Sequence, residues 1–153
     1  MKKEFYESFF RDKKITVMGL GVLGRGIQVT RFLAECGAKI TVTDLKDKES
    51  LKNSVKALAK FKINYVLGRH DIKNFENVDL IIKAAGVPLD SQYIKHARSK
   101  GIRVAMDASL FAKIIQGTVP RITIIGVTGT RGKSMTTTLI YHILKKNEKT
   151  LGG

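Results

Sequence analysis

The first of two glycine-rich segments, Gly19-Leu20-Gly21-Val22-Leu23-Gly24, has the spacing G-x-G-x-x-G between an apolar run and a helical pattern. Such a loop exposes backbone N–H groups beside a helix N-terminus, where a phosphate is stabilised. Gly19 allows a tight turn, Gly21 allows the backbone to approach a ligand, and Gly24 allows the helix to pack closely on the strand. Asp44 ends the next apolar run, at the spacing where a dinucleotide site binds a ribose. The spacing predicts a nucleotide-binding loop, and a tight turn without a ligand is the alternative.

A second glycine-rich segment, GVTGTRGKS at residues 126–134, has residue types that could bind a chain of phosphates. Its backbone N–H groups can surround the phosphates, Lys133 can reach the β- and γ-phosphate oxygens, and Ser134 can bind Mg²⁺. The segment differs from the common spacing G-x-x-x-x-G-K-[ST], because Val127 occupies the position of the first glycine and Gly126 precedes it. The residue types nevertheless predict a P-loop.

Both loops lie in a chain that alternates short apolar runs with amphipathic stretches. Short apolar runs are typical of strands buried in a parallel sheet, and apolar residues three or four positions apart are typical of helices. Strands that alternate with helices predict an α/β fold, a Rossmann-like doubly wound parallel sheet with helices on both faces. The expected strands are 15–18, 39–43, 64–67, 78–82 and 104–106, and the expected helices are 25–36, 48–60, 91–100 and 108–115.

A second unit is expected towards the end of the chain. Pro120 ends the preceding helix, residues 121–125 form an apolar run typical of a buried strand, and a helix begins near Lys133. One strand, one loop and one helix are too few to bury a core of their own. We therefore expect residues 1–117 to form one domain and residues 118–153 to be the first part of a truncated P-loop domain. A sixth strand of the first sheet is the alternative.

Composition and charge limit the classes of protein. The chain has 153 residues with 28 Lys and Arg against 13 Asp and Glu, a net charge of +15 and a pI near 10.1. The basic residues are spread along the chain, so we expect salt-sensitive retention of nucleic acid but no specific nucleic-acid partner. A single cysteine, Cys36, excludes an intrachain disulfide and a cysteine metal cluster and is typical of a cytoplasmic protein. No apolar run approaches the roughly 18 residues of a membrane span, and the three histidines lack metal-ligand spacing.

The second loop resembles a known family more closely than it resembles a generic P-loop. Thr-Gly-Thr-x-Gly-Lys-Ser at residues 128–134 is similar to the ATP loop of the Mur ligases, the ATP-dependent amide-forming enzymes of peptidoglycan synthesis. The similarity extends over nearly the whole chain and is greatest to the branch that adds D-glutamate, in which a Rossmann-like N-terminal domain precedes a central ATPase domain. The segments that carry the resemblance are Gly19-Leu20-Gly21, Val42-Thr43-Asp44, Lys83–Pro88, Gly101–Val104 with Asp107 and Leu110-Phe111, and Leu151-Gly152-Gly153.

The resemblance implies a cytoplasmic, monomeric ligase that uses ATP and Mg²⁺. Such an enzyme activates the carboxylate of UDP-N-acetylmuramoyl-L-alanine as an acyl phosphate, which the amine of D-glutamate then attacks. Lys133 would be the catalytic residue that stabilises the transferring phosphoryl group, and Ser134 would bind Mg²⁺. The residues implied to bind the ATP phosphates are Gly129, Thr130, Arg131, Gly132, Lys133, Ser134 and Met135. The residues implied to bind the UDP-substrate are Gly19, Gly21, Val22, Leu23, Gly24, Asp44, Leu45, Lys46, Ala84, Ala85 and Gly86.

Two alternatives for the function remain open. A non-catalytic Rossmann module that senses NAD or another nucleotide would use Asp44, but it would have no need for Gly132-Lys133-Ser134. A Mur-type ligase that adds a different amino acid would share both loops, because amino-acid choice in the family lies in a C-terminal domain. The other metal ligands and catalytic residues of the family come after the position of Gly153. We therefore expect residues 1–153 alone to be catalytically inactive.

Overall fold

The computed structural model describes residues 3–118 and 122–146. The chain divides into two compact units, Met1–Ile114 and Ile115–Gly153, and the boundary lies within a helix, slightly before the expected position. The strands are β1 (Lys14–Met18), β2 (Lys39–Asp44), β3 (Ile63–Leu67), β4 (Leu80–Lys83) and β5 (Arg103–Ala105). The helices are α1 (Lys3–Phe10), α2 (Arg25–Glu35), α3 (Lys52–Lys56), α4 (Gln92–Ser99), α5 (Asp107–Thr118) and α6 (Lys133–Leu144), with a 3₁₀ helix at Ile72–Phe75.

The five strands form one sheet in the order β3-β2-β1-β4-β5, and neighbouring strands are all parallel. β1 lies at the centre, where Met18 pairs in register with Thr43 of β2 and with Lys83 of β4. The chain adds strands on one side of β1 and then returns to add strands on the other side. This reversal leaves a crevice at the carboxyl ends of the central strands, where open α/β sheets bind ligands. The predicted α/β class and Rossmann-like parallel sheet are confirmed.

Apolar side chains fill both faces of the sheet, because successive residues of a strand point to opposite faces. Val17 of β1 faces a cluster that includes Leu33 of α2, and the next residue, Met18, faces a second cluster that includes Ile94 of α4. The first cluster consists of Phe10, Ile15, Val17, Leu20, Leu33, Cys36, Ile40, Val42, Leu58, Leu80, Ile82, Leu110 and Ile114, and the second of Met18, Phe75, Ile81, Ile94 and Ala97.

Helix α3 is shorter than the sequence predicts, since it covers Lys52–Lys56 instead of residues 48–60. The Asp47 carboxylate accepts a hydrogen bond from the Ser50 N–H at 2.8 Å, so a side-chain-closed turn replaces the first helical turn. After the helix, backbone N–H groups bond to carbonyls three residues earlier, as they do in turns. Local hydrogen bonds therefore compete with the helix at both of its ends.

The apolar run before the second glycine-rich loop does not form the predicted strand. Residues 122–125 have no strand partner, and Arg121 lies outside the described residues. Ile124 is 43% exposed and Ile125 is 54% exposed, because a strand needs neighbouring strands and the described part of this unit offers none. The helix predicted to begin near Lys133 is confirmed as α6. Among residues 3–118 and 122–146, no helix combines the length and the apolar character needed to cross a membrane.

Candidate functional site

The first glycine-rich loop has the backbone conformation that its spacing predicts. The angle φ is 92° at Gly19, 64° at Gly21 and 91° at Gly24, in the left-handed region that residues with side chains rarely adopt. A Cβ atom on Gly19 would also lie only 2.8 Å from the Cβ atom of Ala84, which follows β4. Gly19 therefore lets the loop after β1 approach the turn after β4.

The glycine that lets α2 pack closely on the loop is Gly26, and the prediction that Gly24 has this role is wrong. A Cβ atom on Gly24 would meet no atom within 4 Å, whereas a Cβ atom on Gly26 would lie 2.1 Å from the carbonyl oxygen of Leu20. Gly24 instead occupies the N-cap position of α2, where its positive φ is required. The signal for Gly26 in the sequence is a glycine inside a helical pattern, where glycine costs about 1 kcal/mol relative to alanine.

The Asp44 carboxylate holds the loop in place. Its Oδ2 atom accepts a hydrogen bond from the Gly21 N–H at 2.9 Å, and its Oδ1 atom accepts one from the Lys46 N–H at 2.9 Å. The carbonyl of Gly21 is also bound, because it accepts a hydrogen bond from the buried Ser54 hydroxyl at 2.9 Å. Sequence reasoning missed Ser54, because it belongs to a different helix and to no motif. Gly21 is thus fixed through both of its backbone polar groups.

The loop leaves several backbone donors available to a ligand. Within the described part of the chain, the N–H groups of Val22, Leu23 and Gly24 have no acceptor, as expected just before and at the start of a helix. Val22 and Leu23 are 51% and 95% exposed, so their side chains do not bury these N–H groups. The arrangement is suited to bind an anion at the N-terminus of α2.

Three predicted segments meet at the carboxyl edge of the sheet, namely residues 19–24 after β1, 44–46 after β2 and 84–86 after β4. The contact between Gly19 and Ala84 and the hydrogen bond between the Gly21 N–H and Asp44 connect them. The third segment forms a turn that is closed by a hydrogen bond from the Val87 N–H to the Ala84 carbonyl at 3.1 Å. Leu45 and Lys46 are exposed at this edge, and the described residues offer no acceptor for the N–H groups of Ala85 and Gly86.

His70 lies beside the same edge and was not among the predicted site residues. Its Nδ1 atom is 2.9 Å from the Thr43 hydroxyl, and its ring contacts Phe75 and Tyr93 edge-on. Burial lowers the pKa of the His70 imidazole, and the negative charge of Asp44 partly opposes this shift. Folding therefore favours the neutral imidazole.

We expect His70 to make folding stability depend on pH below neutrality. Because its pKa is lower in the folded chain, its contribution is complete above the unfolded value of about 6.5 and is lost as the pH falls below that value. Melting temperatures of the wild type and of His70→Gln, measured between about pH 7.5 and pH 5, test this. The fall should be smaller in His70→Gln, because every other ionisable group is the same in the two proteins. Equal falls in the two proteins would contradict the expectation.

The second loop, in the second unit, places Lys133 at the start of α6, directly after Gly132 with φ of 78°. The Lys133 Nζ atom donates to the Gly129 carbonyl at 2.5 Å and contacts the Thr130 carbonyl at 3.5 Å. The ammonium group therefore lies against the backbone of the loop. A phosphate bound to the loop N–H groups would offer it a charged acceptor in place of these carbonyls, so the residues present fit such a group.

The remaining residues of the second loop are accessible to a ligand. Arg131, Ser134 and Met135 are exposed at the start of α6. The Ser134 hydroxyl can bind Mg²⁺ together with phosphate oxygens and waters, as in other P-loops. Within residues 3–118 and 122–146, no group of three or more His, Cys, Asp and Glu side chains could hold a metal ion.

Comparison with known proteins identifies the family. Residues 13–106 match the family described as "Mur ligase MurD-like, N-terminal domain", and this range is more than half of the chain. The chain belongs to the Mur ligases. The range that matches this Mur ligase domain contains all five strands, the first glycine-rich loop, Asp44 and the turn after β4.

This Mur ligase chain is similar to curated UDP-N-acetylmuramoylalanine--D-glutamate ligases. It is 40% identical to the one from Roseiflexus sp. (strain RS-1) over 134 residues, which cover 88% of this chain and 28% of the relative. It is 41% identical to the one from Borreliella burgdorferi (strain ZS7) over 138 residues, which cover 89% of this chain and 29% of the relative. The chain therefore spans less than a third of the length of these relatives.

Solved Mur-type structures have a similar fold. The TM-score is 0.51 to a pseudomurein peptide ligase type C from Methanothermus fervidus, with 26% identity over 88% of this chain and 26% of that chain. It is 0.52 to a UDP-N-acetylmuramate-alanine ligase from Thermotoga maritima, with 23% identity over 87% of this chain and 29% of that chain. The second comparison supports the fold alone.

Proposed function

We propose that the protein is a ligase that joins D-glutamate to UDP-N-acetylmuramoyl-L-alanine with ATP, and that its first unit binds the UDP end of the acceptor. The observation that carries this proposal is the 40% identity to a D-glutamate ligase over 88% of the chain. We also propose that residues 118–153 belong to the ATP-binding domain and that the enzyme is monomeric and cytoplasmic. These proposals concern the whole enzyme, whereas the similarity covers 28% of the length of the relative.

The carboxyl edge of the sheet supports the assignment of the first unit. The backbone donors of Val22, Leu23 and Gly24 lie at the N-terminus of α2, where the helix dipole stabilises a negative charge. The N–H groups of Ala85 and Gly86 offer further donors in the turn after β4. A diphosphate needs several such donors at once, and a nucleotide bound in the crevice would meet both sets.

The second loop supports ATP as the source of the phosphoryl group. In the proposed reaction, the acceptor carboxylate takes the γ-phosphoryl group of ATP and ADP leaves. The amine of D-glutamate then attacks the acyl carbon, the amide bond forms, and inorganic phosphate leaves with the bonding electron pair while the amine loses a proton. Lys133 would stabilise the charge of the transferring group, and Ser134 would bind Mg²⁺ between the phosphates.

The two alternative functions have less support. In an NAD-sensing module, Asp44 would accept hydrogen bonds from ribose hydroxyls, but the relatives that this chain resembles are ligases and not sensors. Such a module would also have no need for the Gly132-Lys133-Ser134 segment. A ligase that adds another amino acid would have the same two loops, and the choice of D-glutamate rests on the names of the relatives.

Calorimetry of the chain with UDP, UDP-N-acetylmuramic acid and NAD tests the first unit. We expect both UDP ligands to bind more tightly than NAD. Asp44→Ala should weaken UDP binding on the order of tenfold or more, because it releases the Gly21 N–H from a charged acceptor. Asp47→Ala is the matched control, since this carboxylate bonds only within its own turn. Equal or tighter NAD binding would favour the sensor, and an unaffected Asp44→Ala variant would remove Asp44 from the site.

A further inference from the structure

A buried lysine lies next to the proposed diphosphate site and belongs to neither the predicted nor the proposed binding residues. Lys83 ends β4, pairs in register with Met18 of β1 and is only 5% exposed. Its Nζ atom donates to the Val87 carbonyl at 2.8 Å and to the Ala84 carbonyl at 3.2 Å. These two carbonyls belong to the turn whose Ala85 N–H group lacks an acceptor in the described chain.

The Lys83 ammonium has no negative partner in the part of the chain that the structure describes. The residue Lys83 is part of the lining of a cleft of about 60 Å³, together with Gly19, Arg25 and Asp107. The only carboxylate in that lining, Asp107, is bound by the Arg25 guanidinium at 2.8 Å. Carbonyl dipoles satisfy two of the three Lys83 donors but supply no net charge. A buried charge without a counter-charge is costly, so the free protein has an unbalanced positive charge beside the turn that follows β4.

We propose that the diphosphate of the bound nucleotide supplies this missing negative charge and that Lys83 is the positioning residue of the site. Lys83 fixes the Ala84–Val87 turn through its two carbonyls, and its charge stabilises the anion that the free N–H groups of this turn and of the Gly19–Gly24 loop bind. The inference rests on the proposed function, because it takes the ligand to be a nucleoside diphosphate. It assigns to the nucleotide site a further residue, Lys83, that stabilises the phosphates and does not contact the base or the sugar.

The proposal can be separated from a purely structural role by varying the charge of the ligand. If Lys83 only held the turn in shape through its hydrogen bonds, Lys83→Gln, which can still donate to the turn carbonyls, would keep the UDP binding that Lys83→Met loses. If its charge stabilises the phosphates, the loss must grow with the number of phosphates, because uridine carries no charge. The variants are Lys83→Met, which removes the charge and the donors, and Lys83→Gln, which keeps donors without the charge. Lys95→Met is the matched control, since it removes the same charge from an exposed position of α4.

The experiment is calorimetric titration of the 153-residue chain and its variants with uridine, UMP and UDP at one salt concentration. We expect both Lys83 variants to bind UDP on the order of tenfold or more weakly, UMP less weakly, and uridine as the wild type does. Lys95→Met should bind all three as the wild type does.

The outcomes distinguish this inference from the proposed function. A wild-type chain that binds uridine, UMP and UDP no better than it binds NAD would overturn both. A wild-type chain that binds UDP, with Lys83 variants that bind it equally well or lose all three ligands equally, would overturn only the role of Lys83. Loss of the folded state in both Lys83 variants would overturn it as well, because a charge that the ligand balances is not needed by the free protein.

Discussion

Replacing Gly26 with alanine is expected to destabilise the first unit by about 1–3 kcal/mol, although alanine normally stabilises a helix relative to glycine by about 1 kcal/mol. The reason is the position of the added methyl group. Its carbon would lie 2.1 Å from the carbonyl oxygen, 2.7 Å from the carbonyl carbon and 2.9 Å from the Cα atom of Leu20. These are backbone atoms of a buried residue, so the helix or the loop must move as a whole.

Urea unfolding followed by circular dichroism measures this effect. The control is Gly86→Ala, because a Cβ atom on Gly86 would meet no atom within 4 Å and its φ is not in the left-handed region. We expect Gly86→Ala to unfold near the wild-type midpoint and Gly26→Ala to unfold at clearly lower urea. A Gly26→Ala variant as stable as the wild type would contradict the packing role of Gly26. Where Gly26→Ala is still folded, it should also bind UDP less tightly, because Leu20 lies inside the loop.

The sequence predicts the sheet well because the signal for its strands is local. The run Ile15–Met18 is buried on both faces, since Ile15 and Val17 belong to one core and Met18 to the other, so most of its residues are apolar. The glycines of the first loop were also predictable, since three positive φ angles need glycine at fixed spacing. The spacing does not show which glycine packs against the backbone of another segment. Gly26, which lies outside the motif, has that role.

Features that depend on distant parts of the chain were not predictable. Ser54 supports Gly21 from a separate helix, 33 residues further along the chain. The strand predicted at residues 121–125 is absent from the described residues 122–125. Its residues suit a strand, but the described second unit provides no partner strand. The α1 helix and the 3₁₀ helix were not predicted either, and they are only eight and four residues long. The local sequence pattern thus predicts whether a segment tends to form a helix or a strand, and tertiary contacts decide whether that element forms.

The 153-residue chain is expected to release no phosphate from ATP in response to the acceptor, and Lys133→Ala should not change the measured rate. In-line phosphoryl transfer needs the attacking carboxylate, the metal and the phosphates to be positioned together. The described second unit offers the loop N–H groups, Lys133 and Ser134, and α6 contains no buried residue. Met135, Leu139 and Ile143 are 78%, 60% and 60% exposed, so apolar faces that would form a core around an ATP site are open. Loss of an interaction made only in the transition state lowers kcat and kcat/KM equally, so more substrate does not restore the rate.

The assay is phosphate release with ATP, Mg²⁺, UDP-N-acetylmuramoyl-L-alanine and D-glutamate, comparing the wild type with Lys133→Ala. One of the full-length relatives is the positive control, since this chain spans 28% or 29% of their length. A single missing group that stabilises the phosphoryl transition state lowers turnover by about 10³ to 10⁵, so the expected rate lies at the background of the assay. Release that requires the acceptor and disappears in Lys133→Ala would mean that the catalytic groups are complete within residues 1–153. Acceptor-independent release that persists in Lys133→Ala would point to a contaminating ATPase, because phosphate release by the P-loop itself must involve the lysine that lies against its backbone.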